Sequence, residues 1–163
     1  PRQKYDDPYR NVASIMINRI LQGKPPIIYG DGTQMRCFSF WQDVLQPLML
    51  VCETDIANGE IINIGPDEEY ITINELALRL SKILEFSGDP IYMPGRPQEV
   101  KLANCSANKA RKLLNYKTSV SLDEGLKILV DWIKFKGKKE FSYHLPLEFS
   151  TSLTPKTWSE KQM

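Results

Sequence analysis

Apolar residues at Val12, Ala13, Met16, Ile17, Ile20 and Leu21 recur at helical spacing between Tyr9 and Gln22, which predicts an amphipathic helix. Asp6 and Asp7 place acidic charge at its entry and Gly23 supplies its stop. Beyond Gly23-Lys24-Pro25-Pro26 the period changes. Ile27-Ile28-Tyr29 predicts a short strand, Gly30-Asp31-Gly32 a turn whose glycines can take positive φ, and Met35 to Phe40 a second strand. Helical period returns from Trp41 or Gln42 to Cys52 through Val44, Leu45, Leu48, Met49 and Val51. Pro47 falls inside that stretch and, lacking an amide hydrogen, calls for a kink or a late start.

After the Asn58-Gly59 turn, Glu60-Ile61-Ile62-Asn63-Ile64-Gly65 has the pattern of a buried strand. Thr72-Ile73-Asn74-Glu75 is a capping box that opens a helix to Phe86, with Ile73, Leu76, Ala77, Leu80, Ile83 and Leu84 on one face. Pro90 to Met93 reads as a brief strand, and Ser106 caps a short helix through Leu114. Ser121-Leu122-Asp123-Glu124 is a second capping box, for a helix carrying Leu122, Leu126, Leu129, Val130 and Ile133. Beyond Lys134 no period is sustained, so the end of the chain is expected to lie as a tail over the surface.

Helices alternating with short strands predict an α/β fold: one lobe over residues 1–135, with short strands and about five helices, and an irregular tail over 136–163. With 163 residues, one domain is the expectation, and 42% hydrophobic against 25% charged residues excludes disordered, collagenous and membrane classes. Twenty-one Lys plus Arg against 20 Asp plus Glu leaves +1, no field to gather nucleic acid or an anionic membrane surface. Any anion must therefore be held by a few placed groups. No stretch approaches the roughly 18 apolar residues of a membrane span, and a cytoplasmic location is expected. Cys37, Cys52 and Cys105 match neither a metal site nor a disulfide framework, which predicts buried free thiols in a reducing compartment.

No catalytic constellation emerges. His144 is the single histidine and sits in the irregular tail, where a surface role is expected. There is no serine elbow, metal-spaced pair, GxGxxG or P-loop, and no glycine turn leads into a helix as a phosphate cradle would. No catalytic, cofactor-binding or metal-ligating residue is assigned.

Pro1-Arg2-Gln3, the run from Pro26 through Gly30-Asp31-Gly32-Thr33-Gln34-Met35-Arg36 to Phe40, Ile62-Asn63-Ile64-Gly65, Arg96-Pro97-Gln98-Glu99-Val100, Ser106 to Leu114 and Ser121 to Leu126 follow one another in order. That series resembles the C-terminal, substrate-binding half of extended short-chain dehydrogenase/reductases, the NAD-dependent nucleotide-sugar epimerases, dehydratases and decarboxylases. The resemblance covers residues 1 to about 135 and implies elements that would complete a Rossmann domain. It implies NAD as cofactor and oxidation of a sugar hydroxyl with a tyrosine as base. The glycine-rich loop and Tyr-x-x-x-Lys pair for that chemistry belong to an N-terminal Rossmann half that this sequence does not contain. The chain opens on Pro1, where the family's Gly-Pro-Arg has lost its glycine, so a fragment of a longer protein is expected. The alternative is a stand-alone, non-catalytic nucleotide-sugar-binding or scaffolding module. The sugar nucleotide and the missing half are the expected partners, with a homo-oligomer as a further one that is less well supported, since the family often dimerises through helices of the Rossmann half that this sequence does not contain.

Four residues are singled out as substrate-binding. Arg36 follows the Gly-Asp-Gly turn, and its counterpart in the family contacts the nucleotide diphosphate, which a guanidinium fork pairs bidentately. Arg96 lies in Pro94-Gly95-Arg96-Pro97, whose prolines fix the backbone ahead of a ligand. The family's usual Arg-Pro-Gly-Asp here reads Arg96-Pro97-Gln98-Glu99, which alters the loop. Tyr29 matches an aromatic position that lies against the nucleobase in several relatives, or is a half-buried strand tyrosine. Asn63 serves either a sugar contact or its own strand's backbone, the structural role being favoured. Asp43 is read as the N-cap or first turn of its helix.

Overall fold

The computed structural model describes residues 1–147 and 150–163. In chain order its elements are α1 (Val12–Leu21), β1 (Ile27–Tyr29), β2 (Met35–Arg36), α2 (Trp41–Glu53), a 3-10 turn (Asp55–Ala57), β3 (Ile71–Thr72), α3 (Ile73–Ile83), β4 (Ile91–Met93), β5 (Leu102–Ala103), α4 (Asn108–Leu114), α5 (Leu122–Lys136) and α6 (Lys156–Ser159). This is the mixed α/β architecture of short strands expected from the sequence. The chain forms two units: the first is Pro1–Gln34, Thr72–Lys101 and Leu126–Met163, the second Met35–Ile71 and Leu102–Gly125.

In the first unit the capping box forms as the sequence predicts. Glu75 N donates to Thr72 Oγ1 at 3.1 Å and Thr72 N to Glu75 Oε2 at 2.7 Å, so two otherwise orphaned helix amides are satisfied. Leu76, Ala77 and Leu80 of α3 are buried, as are Met16, Ile17 and Ile20 of α1, which α3 contacts, and Leu126, Val130 and Ile133 of α5. β1 and β4 pair in parallel, Ile27 opposite Ile91 and Tyr29 opposite Met93. α1 starts at Val12 rather than near Tyr9: Asn11 takes a left-handed φ of 70°, and the Tyr9 amide already donates to buried Asp7 at 2.9 Å. Likewise α3 stops at Ile83, short of Phe86, where Glu85 turns to a φ of 53°.

The tail beyond Lys136 is held closely. Tyr5 Oη donates to the Gly137 carbonyl at 2.9 Å, and buried Asn18 donates to the Lys139 carbonyl at 2.8 Å while accepting from its amide at 3.0 Å. Tyr9 meets His144 and Trp158 edge-on, each with ring centroids 5.5 Å apart. The short helix α6 was not legible in the sequence.

In the second unit β2 and β5 pair in parallel, with Met35 opposite Leu102. β2 is shorter than the expected Met35 to Phe40. Asp43 lies in the first turn of α2, as expected, and is also buried: its carboxylate accepts from the amides of Ser119 at 3.2 Å and Val120 at 3.3 Å. Pro47 is buried inside α2, and the helix makes no late start to accommodate it.

Three expectations are corrected here. Residues 60–65 form no strand, because no described strand offers them a ladder. Ile62 and Ile64 instead lie against buried Ala107, Ala110 and Tyr116, and Ile61 is 88% exposed. The N-cap of α4 is Ala107 rather than Ser106, whose hydroxyl accepts the Asn108 amide at 3.3 Å. The thiols are free but not buried: Cys37 and Cys105 are half-buried, and Cys52 is exposed on the same helix as exposed Trp41, Leu45, Leu48 and Met49. Among the described residues no helix is long and apolar enough to cross a membrane.

Candidate functional site

The parallel register of β1 and β4 brings two loops together. Gly30 N donates to the Met93 carbonyl at 2.9 Å, and a Cβ on Gly30 would lie 3.8 Å from the Cα of Gly95. Immediately after that approach comes Arg96, whose guanidinium carbon stands 4.7 Å from the centroid of the Tyr29 ring, a cation–π contact. Glu99 fixes the same guanidinium from the side, Arg96 Nε donating to Oε2 at 2.7 Å with Nη2 at 2.5 Å from the same oxygen. The altered loop sequence thus keeps a turn that returns the acid to the arginine. It does so by placing Gln98, where the family has glycine, at a φ of 58°.

Behind this face, the Tyr29 hydroxyl is hydrogen-bonded to Oγ1 of Thr157, which is fully buried. Burial pushes the Tyr29 hydroxyl up to about 12, against the opposing pull of the Arg96 cation, so the phenol stays protonated through the physiological range. Arg19 is buried at the same place, its Nε donating to the Pro25 carbonyl at 2.8 Å; burial lowers its pKa, and it interacts electrostatically with Tyr29 and Tyr143. The sequence held a signal for Arg19, a charge next to Ile20 on the apolar stripe of α1. For Thr157 it held none.

Of the four singled-out residues, Tyr29 and Arg96 are brought into contact. Arg36 and Asn63 belong to the second unit. Arg36 is half-buried on β2, where its Nη1 donates to the Met35 carbonyl at 2.8 Å. Asn63 is exposed, between the inward-facing Ile62 and Ile64. The strongest ionic cluster of that unit was missed by sequence reasoning. Arg111 donates to Asp67 at 3.1 Å through Nη1, pairs with it again through Nη2, and reaches Glu68 at 2.5 Å. Its hydrogen bonds, with that of the Ala107 amide, hold Asp67 down at about 2. Since α4 begins beside these contacts, they read as a clamp on its N-terminus. His144 is packed against Tyr9, its Nε2 3.9 Å from Asp7. Among the described residues no cluster of His, Cys, Asp and Glu could hold a metal ion.

The residues present do not fit a dinucleotide. The Gly30-Asp31-Gly32 turn, the most glycine-rich loop, is filled by Asn74: a Cβ on Gly32 would lie 2.0 Å from its Oδ1, and its Nδ2 donates to the Asp31 carbonyl at 2.9 Å. A pyrophosphate needs that backbone open and followed by a helix N-terminus.

A sequence profile described as the NAD dependent epimerase/dehydratase family matches residues 1–65. A UDP-N-acetyl-alpha-D-glucosaminuronate decarboxylase of Bacillus cytotoxicus is 31% identical over 140 residues, which are 82% of this chain and 43% of that protein. The solved UDP-glucose 4-epimerase of Thermotoga maritima with UDP-glucose superposes with a TM-score of 0.74 at 32% identity, over 80% of this chain and 42% of that one. The UDP-glucuronic acid 4-epimerase of Bacillus cereus, solved with UDP-glucuronic acid and NAD, gives 0.74 at 35% identity, over 83% of this chain and 42% of that one. The chain thus spans less than half the length of these relatives. Fold, element order and sequence agree: the chain belongs to the NAD-dependent epimerase/dehydratase family.

Proposed function

We propose that this chain is the nucleotide-sugar-binding part of an NAD-dependent epimerase or dehydratase acting on a UDP- or dTDP-linked hexose. The observation that carries this reading is Arg96, held between the Tyr29 ring and the Glu99 carboxylate. Glu99 takes the Nε and Nη2 edge of the guanidinium, so the Nη1 edge is the one an incoming diphosphate would use. Tyr29 supplies a ring for the base, and in the second unit Arg36 is a candidate guanidinium for phosphate and Asn63 a candidate amide for the sugar. Fixing the arginine before the ligand arrives lowers the entropy cost of binding.

The hydride transfer and its tyrosine base belong, on this reading, to a Rossmann half outside these residues, and the 163-residue chain alone is inactive. The exposed apolar residues of α2, with Ile61, support it, since a domain partner would cover such a face. The test is calorimetric titration of UDP and dTDP into the polypeptide as its gene encodes it, and into its Arg36→Ala and Arg96→Ala variants. Weakened binding in both variants is expected, and wild-type affinity in both would overturn the reading. Turnover of a nucleotide sugar by the isolated 163 residues would overturn the division of labour.

A further inference from the structure

We propose that Thr157, on the short helix α6, is a positioning residue of this site: it fixes the Tyr29 hydroxyl and, through the ring, the Arg96 guanidinium. The inference rests on the nucleotide-sugar reading above and adds the C-terminal tail to the site.

Tyr29 ends β1, so its Cβ is set by the strand, and the ring's remaining freedom is rotation about its side-chain bonds. The Thr157 hydroxyl removes that freedom by holding the far end of the ring. Thr157 is itself fully buried, and its neighbours brace it: Trp158 N donates to the Pro155 carbonyl at 2.8 Å, and the Trp158 ring meets Tyr9 edge-on. A cation over an aromatic face gains its attraction only while that face stays presented to it. The chain of contacts is therefore Thr157 to the Tyr29 hydroxyl, the Tyr29 ring to Arg96, and Arg96 to Glu99. Releasing the first link lets the ring turn, and Arg96 keeps only its carboxylate anchor. An arginine that must be ordered by the ligand binds phosphate more weakly than one already ordered.

This role is separable from plain packing. Thr157→Val keeps the volume and burial of the side chain but deletes the hydroxyl, and Thr157→Ser keeps the hydroxyl. Tyr29→Phe keeps the ring and deletes the other partner. In the polypeptide as its gene encodes it, UDP titrated calorimetrically into Thr157→Val should bind about three- to tenfold more weakly, the range of one lost hydrogen bond. Thr157→Ser should bind as wild type. Tyr29→Phe should weaken UDP to the same extent, and adding Thr157→Val to it should change nothing more, because the two atoms form one bond. With a turned-over nucleotide sugar, the loss should fall on KM with kcat kept.

Wild-type UDP affinity in Thr157→Val and Tyr29→Phe, with Arg96→Ala weakened, would overturn the role of Thr157 and leave the site reading standing. Additive losses in the double variant would overturn it as well. Unchanged affinity in Arg96→Ala would overturn the site reading and this inference together. Should Thr157→Val fail to fold, the Tyr29→Phe and Thr157→Ser titrations decide the matter alone.

Discussion

The Arg96 guanidinium rests 4.7 Å above the Tyr29 ring although the two residues belong to different strand ends, and the parallel register of Tyr29 opposite Met93 is what brings them together. Neither residue needs the other's loop to be long or mobile, because Gly30 and Gly95 let the two backbones approach. The contact therefore exists before any ligand does.

Lysine cannot reproduce this arrangement. A compact ammonium lacks the planar fork that stacks on an aromatic face while pairing sideways with a carboxylate. In the polypeptide as its gene encodes it, Arg96→Ala is expected to lose about 1.5–3 kcal/mol of UDP binding, the range of a hydrogen bond to a charged group. Arg96→Lys should recover only a small part. Calorimetry reads both, and full recovery by lysine would show that charge alone matters at this position.

Gln98 carries a left-handed φ of 58° in the loop that returns Glu99 to Arg96. A residue with a Cβ gives up about 1 kcal/mol in that conformation, which glycine does not. Gln98→Gly is expected to raise the melting temperature by about 2–4 °C. An unchanged or lower value would mean that the glutamine side chain compensates its own strain.

Two glycine-to-alanine changes should separate backbone strain from crowding. Gly23 and Gly32 both have positive φ, but a Cβ meets nothing within 4 Å at Gly23 and meets Asn74 Oδ1 at 2.0 Å at Gly32. Displacing Asn74 also threatens its bonds to the Asp31 carbonyl at 2.9 Å and from the Tyr92 hydroxyl at 3.0 Å. Gly23→Ala is expected to cost about 1 kcal/mol and Gly32→Ala about 2–4 kcal/mol by denaturant unfolding. Equal losses would show that Asn74 moves aside freely.

Acid should weaken the clamp on α4. The Asp67 carboxyl stands at about 2, below its ordinary 3.8, chiefly through its hydrogen bonds from Arg111 and the Ala107 amide. Because the folded value is the lower one, the stabilisation is present above about pH 4 and is lost as pH falls from about 4 to about 2. Asp67→Asn should flatten that part of the stability profile. Melting curves at about pH 6 and about pH 3 for both proteins check it, and parallel profiles would remove Asp67 from the acid response.

The 163-residue chain on its own is expected to self-associate. Trp41 is 51% and Leu48 50% exposed on α2, and Ile61 is 88% exposed. Sedimentation should show species larger than the 18.7 kDa monomer, with a hydrophobic-dye signal, and Leu48→Glu with Met49→Lys should reduce both. A sharply melting monomer without dye binding would make the stand-alone module the better account.

The sequence was most informative where the cause of a structure is local. The Thr72 capping box and the turn at Gly30 and Gly32 involve near neighbours in the chain, and both form as read. Arg96 and Tyr29 were singled out from separate motifs, and their contact follows from strand pairing that no local pattern encodes. The Ile61 to Ile64 run failed for the complementary reason: its composition suits a strand, but a strand also needs a neighbour. The Tyr29–Thr157 bond joins positions 128 residues apart, through a four-residue helix too short to show a period.

The interleaving of the two units has a consequence for synthesis on the ribosome. The second unit is drawn from Met35–Ile71 and Leu102–Gly125, so all its residues have been made once Gly125 has been added. The first unit at that point still lacks the Thr157 hydroxyl that Tyr29 bonds and the tail carbonyl of Lys139 that Asn18 bonds. Over these residues the second unit is therefore complete before the first. Within this stretch the residues of α1 wait longest for their partners, and those long loop closures make the first unit the slower to form.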